Sequence, residues 1–168
     1  MSASFSLTTT GALDIQRRLG GLVLAFGDLT PLMEGFGSTL ESGTLDRFDS
    51  ESAPDGSAWK PSLRARTEGG KTLTDSAQLR GSITSQAGSD HVEVGTNKIY
   101  AGVHQFGATI RAKSSAGLRF QLPGGLGFRR VMEVEIPARP FLGLSSDDEA
   151  ELLAQAEDYA AAAIGGSA

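Results

Sequence analysis

The feature that most constrains the fold is the stretch IPARPFLG at residues 136–143, where two prolines enclose an arginine directly after an alternating strand. Each proline fixes φ and lacks a backbone donor, so a strand ending at Ile136 cannot continue its ladder. Because a residue before proline is held extended, Arg139 should present its guanidinium with little entropy left to lose. Phe141 adds an apolar anchor, and Gly143 allows a turn. The stretch therefore predicts a stiff elbow.

The sequence allows two roles for this elbow, which comprises residues 137–143. It can be a rigid connector from a strand to a helix within one chain. Alternatively, it can be a docking element for a neighbouring subunit, because a pre-ordered guanidinium beside an apolar ring loses little entropy on binding. In the second case the contact residues would be Pro137, Arg139, Pro140 and Phe141.

A length of 168 residues suits a single domain over residues 1–168, with a flexible leader at 1–12 and a flexible tail at 165–168. The chain has no cysteine, which excludes disulfides and thiolate metal sites. No stretch approaches the roughly 20 apolar residues that cross a bilayer, and the start lacks the basic region of a signal peptide. We therefore expect synthesis in the cytoplasm and no membrane partner.

Apolar residues at helical spacing predict two helices near the N-terminus and one at the C-terminus. The first covers Leu13 to Phe26, and the second begins at Thr30 as N-cap, followed by Pro31 in the first turn. The buried stripe of the second helix would be Leu32, Met33, Phe36, Leu40 and Phe48. A capping box of Ser146 and Glu149 should open the last helix, with Leu152, Ala156, Tyr159 and Ala163 buried.

Between these helices the pattern changes to alternation, which predicts strands. Strands are expected at 82–87 and 91–96, and a β-hairpin should pair 118–122 with 132–136 across a glycine-rich tip. The other expected features are a Trp59 anchor, an exposed loop at 64–71, a short helix within 73–83 capped by Asp75 or Ser76, and a short helix at 99–107. We predict an α+β fold in which a mostly antiparallel sheet with a projecting hairpin is packed by N-terminal helices and a C-terminal helix.

Charge is unevenly distributed along the chain. From Lys98 to Pro140 there are seven Lys or Arg and two Glu, so this segment is +5, although the whole chain is −5. Five of the cations lie around the predicted hairpin: Arg111, Lys113, Arg119, Arg129 and Arg130. Such a segment can bind nucleic acid, or it can dock on the acidic part of a second copy of the chain.

No pattern in the sequence commits to catalysis. His91 and His104 are the only histidines, and neither has a partner at metal-ligand spacing. The glycines at 124–127 lack the lysine and the following helix of a phosphate loop, and Asp147 with Asp148 fits a helix cap. We therefore expect no cofactor, no metal and no enzymatic activity; a cell-wall hydrolase would need an acid or base that we do not find.

Several blocks taken together resemble one known family. In chain order they are Arg47-Phe48, PDGSAW at 54–59, LTDSAQLRGSI at 73–83, VGTNKIYAGVHQFG at 94–107 and IPARPFLG at 136–143. Over about residues 30–160 these blocks resemble the phage virion morphogenesis, or tail completion, proteins of Mu-like and P2-like tailed phages. The motif positions are Trp59, Tyr100, His104, Gln105, Phe106 and Gly107. Ala77 departs from the pattern, where glycine is commoner.

The resemblance implies a non-enzymatic virion protein that acts in tail completion and head–tail joining. It would form a ring at the neck or the head-proximal end of the tail, and we expect a hexamer or dodecamer, with the hexamer favoured. Its partners would be other neck, connector and tail-tube proteins, with non-specific proximity to DNA in the channel. It would be assembled in the host cytoplasm and located in the virion. The five cations above and the elbow residues would form the interface.

The alternative is a DNA-binding accessory protein of phage assembly. In that case affinity should fall steeply with salt, and Arg129 and Arg130 should matter more than Arg139.

Overall fold

The computed structural model describes residues 27–165, with side chains described from residue 27 to residue 162. The helix predicted over Leu13 to Phe26 and the leader therefore lie outside the described residues. The helices are α1 (Thr30–Ser50), α2 (Leu63–Glu68), α3 (Ala101–Phe106) and α4 (Ser146–Gly165), with a 3₁₀ turn at Arg80–Ser82. The strands are β1 (Ile83–Ala87), β2 (Val92–Thr96), β3 (Ala108–Arg111), β4 (Leu118–Gln121), β5 (Phe128–Val131) and β6 (Glu133–Ile136).

The α+β class is confirmed, although within residues 27–165 the strands form three separate antiparallel ladders of two strands each and no continuous sheet. The ladders are β1 with β2, β3 with β6, and β4 with β5. Within the part of the chain that the structure describes, no helix is both long and apolar enough to span a membrane.

Helix α1 begins where the sequence predicts, but its cap differs. Thr30 is already helical, and Asp28 accepts bonds from its backbone nitrogen at 2.9 Å and its hydroxyl at 2.6 Å. Of the predicted stripe, Leu40 is half-buried and the other four side chains are buried. Glycine lowers helix propensity, yet a Cβ at Gly37 would lie 2.6 Å from the Ser85 hydroxyl. Gly37 therefore lowers the helix propensity of α1 but allows α1 to pack closely against β1.

Two apolar clusters make up the core, and α1 contributes to both. The first joins α1 to the 3₁₀ turn, α3 and the elbow through Phe48, Ala53, Trp59, Leu79, Ile83, Ala101, Phe141 and Leu142. The second joins α1 to α4 through Leu29, Leu32, Met33, Phe36 and Leu152. Trp59 is the buried anchor that the sequence predicts, at 4% exposed.

Residues 108–136 form one long hairpin, which we call the arm. Strands β3 and β6 pair at its base, with Ala108 opposite Ile136, and β4 and β5 pair nearer the tip, with Gln121 opposite Phe128. The expected pairing of 118–122 with 132–136 is wrong, because β6 pairs with β3 and β4 pairs with 128–131. The glycine-rich tip itself is confirmed, and a bond of 2.8 Å from the Leu122 nitrogen to the Gly127 oxygen closes it.

Of three further local predictions, two need correction. The segment predicted as an exposed loop contains α2, capped by the Ser62 hydroxyl, which accepts from the Ala65 nitrogen at 3.1 Å. The helix expected within 73–83 is reduced to the 3₁₀ turn, because Leu73 and Ala77 adopt positive φ of 62° and 55°. The short helix expected at 99–107 is confirmed as α3.

The capping box of α4 lies one residue earlier than predicted. The Ser145 hydroxyl accepts from the Asp148 nitrogen at 3.1 Å, and the Asp148 carboxylate accepts from the Ser145 nitrogen at 2.8 Å. This reciprocal pair replaces the expected Ser146 and Glu149. The shift turns Asp148 inward, where it is 6% exposed.

Candidate functional site

The candidate site consists of two regions, the elbow at residues 137–143 and the arm at residues 108–136. The backbone of the elbow is bound by a buried side chain from α3. The Gln105 side-chain oxygen accepts from the nitrogens of Phe141 at 3.0 Å and Leu142 at 3.1 Å, and its amide donates to the Leu142 oxygen at 2.9 Å. One side chain thus replaces the ladder partners that the prolines exclude.

Three further backbone bonds join the elbow to α1, to the loop that holds Trp59, and again to α3. The Trp59 indole donates to the Pro140 oxygen at 2.9 Å, Arg47 donates to the Phe141 oxygen at 3.1 Å, and the Arg139 nitrogen donates to the His104 oxygen at 2.7 Å. The motif residues that are scattered along the sequence therefore meet here. We call the elbow with Arg47, Trp59, Gln105 and Asp148 the elbow junction.

A docking element for a neighbouring subunit would need an exposed Arg139 and Phe141, but in the structure both side chains are buried within the chain. Arg139 is 6% exposed, and its Nε donates to the Lys60 oxygen at 2.7 Å. Phe141 is fully buried, with its ring 5.3 Å from that of Phe48. The placement of Arg139 and Phe141 in a partner interface is corrected, because both side chains are used inside the chain. Pro137 and Pro140 are half-buried. Burial lowers the pKa of Arg139.

An ion pair ties the elbow to the last helix. Arg47 and Asp148 form a buried pair, each 6% exposed, and Asp148 also caps α4. Burial lowers the pKa of Arg47, and the Asp148 carboxylate opposes that shift. A Cβ at Gly43 would collide with the Asp148 carboxylate, so α1 needs glycine there. Neither Arg47 nor Asp148 is among the predicted site residues, and the only sequence signal for Arg47 is its place in the family pattern.

Helix α3 is fixed against the elbow by its flanking glycine and by His104. Gly107 has a φ of 74°, and a Cβ there would lie 2.8 Å from the Ala138 nitrogen. His104 stacks edge-on to Tyr100 at 6.1 Å, and its buried Nδ1 has no hydrogen-bond partner within residues 27–165. Burial lowers the pKa of His104, and the nearby Arg139 guanidinium lowers it further. Phe106 points outward, 58% exposed.

The arm carries the exposed cations. Arg111, Lys113, Arg119, Arg129 and Arg130 are all exposed along it. Arg111 pairs with Glu133 at 2.7 Å, Arg119 lies 4.7 Å above the Phe128 ring, and Arg130 donates to the Ser115 carbonyl. The arm also exposes large apolar side chains, among them Phe128 at 65% and Leu126 at 59%. The structure thus places the five predicted cations together on one hairpin, and the predicted elbow residues lie outside it.

Histidine and carboxylate placement offers no ligand set for a metal. Among residues 27–165 no group of three or more such side chains is close enough to hold an ion. His91 instead pairs with Asp90 at 2.7 Å, on the surface. The exposed surface of the arm combines cations with large apolar side chains.

The fold and this surface define a class: an α+β protein with a buried elbow junction and a projecting cationic arm. The chain belongs to the phage virion morphogenesis family, whose model matches residues 12–160. It is 35% identical over 148 residues to Mu-like prophage FluMu G protein 2 of Haemophilus influenzae, covering 88% of this chain and 90% of that protein. The predicted family is confirmed.

A second relative comes from Escherichia phage Mu. Its protein "Putative capsid assembly protein G" is 31% identical over 125 residues, covering 68% of this chain and 69% of the relative. No solved structure matches the chain. The protein is therefore a phage virion morphogenesis protein with a structural role in building the particle.

Proposed function

We propose that this protein acts in tail completion and head–tail joining, as an oligomeric ring at the neck or the head-proximal end of the tail. The single observation that carries the proposal is the arm, a long hairpin whose exposed surface combines five cations with large apolar side chains. Surfaces of this kind are typical of contacts between proteins. In this proposal the protein has no enzymatic activity, and its partners are other copies and the neck, connector and tail-tube proteins.

The distribution of charge supports a ring. Helix α4 carries six carboxylates and no Lys or Arg, whereas the arm has five cations and two glutamates. When one molecule carries two surfaces of opposite charge, head-to-tail contacts between copies are favoured. Such contacts close into a ring when the rotation from one copy to the next adds up to a full turn. The many bonds of the elbow junction give the base of the arm a rigid support.

The first test is the oligomeric state of the purified full-length protein. Sedimentation velocity and native mass spectrometry at low and high salt should give a closed oligomer, with a hexamer expected, that weakens as salt rises. The double variant Arg129→Glu/Arg130→Glu should shift the protein to smaller species. Its matched control, Lys60→Glu/Lys98→Glu, has the same charge change outside the arm and should keep the oligomer.

The second test places the protein in the particle. Phage that lack the gene should be complemented by the wild-type chain, and density for the protein should be found at the neck of the mature virions. A chain that remains monomeric even with its neck and tail partners, and that is absent from mature virions, would contradict the proposal.

The exposed Arg129 and Arg130 also support the alternative, a DNA-binding accessory protein. For that function a gel shift should show tight binding that falls steeply between about 50 and 200 mM salt. The Arg129→Glu/Arg130→Glu variant should then lose DNA binding while its oligomeric state stays the same, which is the opposite of what the ring predicts.

A further inference from the structure

The two faces of the arm differ in chemistry. In an antiparallel ladder opposite residues share a face, so Ile110 lies beside Val134, and Phe120 beside Arg129. Ile110, Leu118, Phe120 and Val134 line a shallow apolar groove together with Arg119. At the base of the arm the other face carries polar side chains, including Arg111, Glu133 and Glu135.

The groove continues toward the tip, where α2 forms its far wall. Phe120 also lines a cleft with Leu122 on the arm and Leu63 on α2. The Glu68 carboxylate of α2 accepts from the Gly124 nitrogen, which holds the tip beside that helix. The result is a surface that runs from the base of the arm to α2, apolar along the arm and mixed at the α2 end, where Arg64 and Glu68 also line the cleft.

A ribbon of two strands does not bury its apolar face by itself. Such ribbons are marginal in water and gain stability when a helix or a further strand covers them. In this arm Ile110 remains 39% exposed at the groove. A covering element should therefore be apolar at its centre and acidic at its margins, because Arg119 lines the groove and Arg129 lies opposite Phe120 in the ladder.

Helix α4 has such a surface on its outward side. Leu152 faces α1 in the core, whereas its neighbour Leu153 is 38% exposed. Around Leu153 the exposed positions at helical spacing are Ala150, Ala154, Glu157 and Ala161, flanked by Asp147, Glu151 and Asp158. Leu153 and three alanines lie along the centre of this face together with Glu157, and carboxylates lie at its sides, so the face complements the apolar and cationic groove in chemistry.

We propose that the groove on the arm of one copy receives the outward face of α4 from a second copy. This proposal rests on the proposed ring and names the two surfaces that form its repeating contact. The contact is heterologous, because each copy offers its arm to one neighbour and its helix to the other. Each copy in the ring would then cover the apolar face of one arm with a helix.

The absence of cysteine from the chain allows a direct test by cross-linking. Ile110→Cys on one copy and Leu153→Cys on another should form an intermolecular disulfide when the two proteins are mixed and oxidised. The control pair is Ile99→Cys with Leu153→Cys, since Ile99 is an exposed apolar residue outside the arm, at 80%. The test pair should cross-link at least roughly tenfold faster than the control, as expected for sulfurs held in contact.

Complementary variants give a second test. The arm variant Ile110→Asp/Arg129→Glu and the helix variant Leu153→Asp/Ala154→Asp should each weaken self-association by roughly a hundredfold or more, and the two altered surfaces cannot pair with each other because both are acidic. When they are mixed, the intact helix of the first meets the intact arm of the second, so assembly should resume and stop at a one-to-one dimer. Circular dichroism of each variant should be unchanged from wild type, because the substituted residues are exposed.

The outcomes separate this contact from the ring itself. A wild-type oligomer that survives both variants, or a mixture that fails to form dimers, overturns the arm–helix contact and leaves the ring standing. Equal cross-linking in the test and control pairs overturns it as well. A wild-type protein that never oligomerises overturns the ring and, with it, the contact.

Discussion

The elbow junction and the arm lie next to each other in the sequence, yet they use arginine in opposite ways. In the junction Arg47 and Arg139 are buried, and they donate to a carboxylate and to backbone carbonyls of the same chain. On the arm the arginines are exposed. A buried arginine must be fully paired, because desolvation costs more than an isolated charge recovers. The difference separates residues that hold the fold from residues that are available to a partner.

The difference between buried and exposed arginines is tested most strongly by removing one arginine from each region. Arg47→Met should leave Asp148 buried without its partner and the Phe141 carbonyl without a donor, and so lower the free energy of unfolding by about 3–5 kcal/mol. Arg111→Met removes a pair whose side chains are 76% and 50% exposed, and should cost at most about 1 kcal/mol. Urea unfolding followed by circular dichroism measures both. Equal losses would erase the distinction between the regions.

Two phenylalanines, one in the elbow and one on the arm, allow a second test with a smaller expected loss of stability. Phe141→Ala should lower the free energy of unfolding by about 3–4 kcal/mol, because the fully buried ring leaves a cavity against Phe48. Phe128→Ala, on the arm, should cost less than about 1 kcal/mol, mostly through loss of the contact with Arg119. Thermal and urea unfolding of both variants provide the measurement. A larger loss for Phe128→Ala would mean that the arm belongs to the core.

The smallest expected effect is a dependence of stability on pH that arises at the junction. The pKa of His104 is lowered by burial and then by Arg139, so the unfolded chain takes up the proton at higher pH than the folded one. Its contribution to stability is therefore complete above the ordinary value of 6.5 and declines as pH falls through the folded pKa. His104→Gln should reduce the loss of thermal stability between about pH 6.5 and pH 5.

His91 serves as the control, because its shift has the opposite sign. The hydrogen bond that His91 donates to the Asp90 carboxylate raises the pKa of His91, so the contribution of His91 to stability is present below 6.5 and is lost as pH rises through the folded pKa. His91→Gln should leave the decline on acidification in place. If both variants respond alike to acid, the buried environment of His104 is not the source of the effect.

Local patterns of residues were enough to predict several helices, strands and turns. Pro31 and the apolar stripe predicted α1, alternation predicted β1 and β2, and the glycines at 124–127 predicted the tip of the arm. Blocks spread over most of the chain were enough to indicate the family. These features follow from the periods of helices and strands and from the backbone freedom of proline and glycine, which operate over a few residues.

The tertiary structure alone decided which distant segments meet. Alternation at 132–136 indicates a strand, but it cannot say whether its partner is β4 or β3, because either choice places apolar side chains on one face. Restriction by proline predicted a stiff Arg139, but its burial depends on the Lys60 carbonyl, which lies 79 residues away in the chain. Pairing across such distances is set by the packing of the whole domain, and no local pattern encodes it.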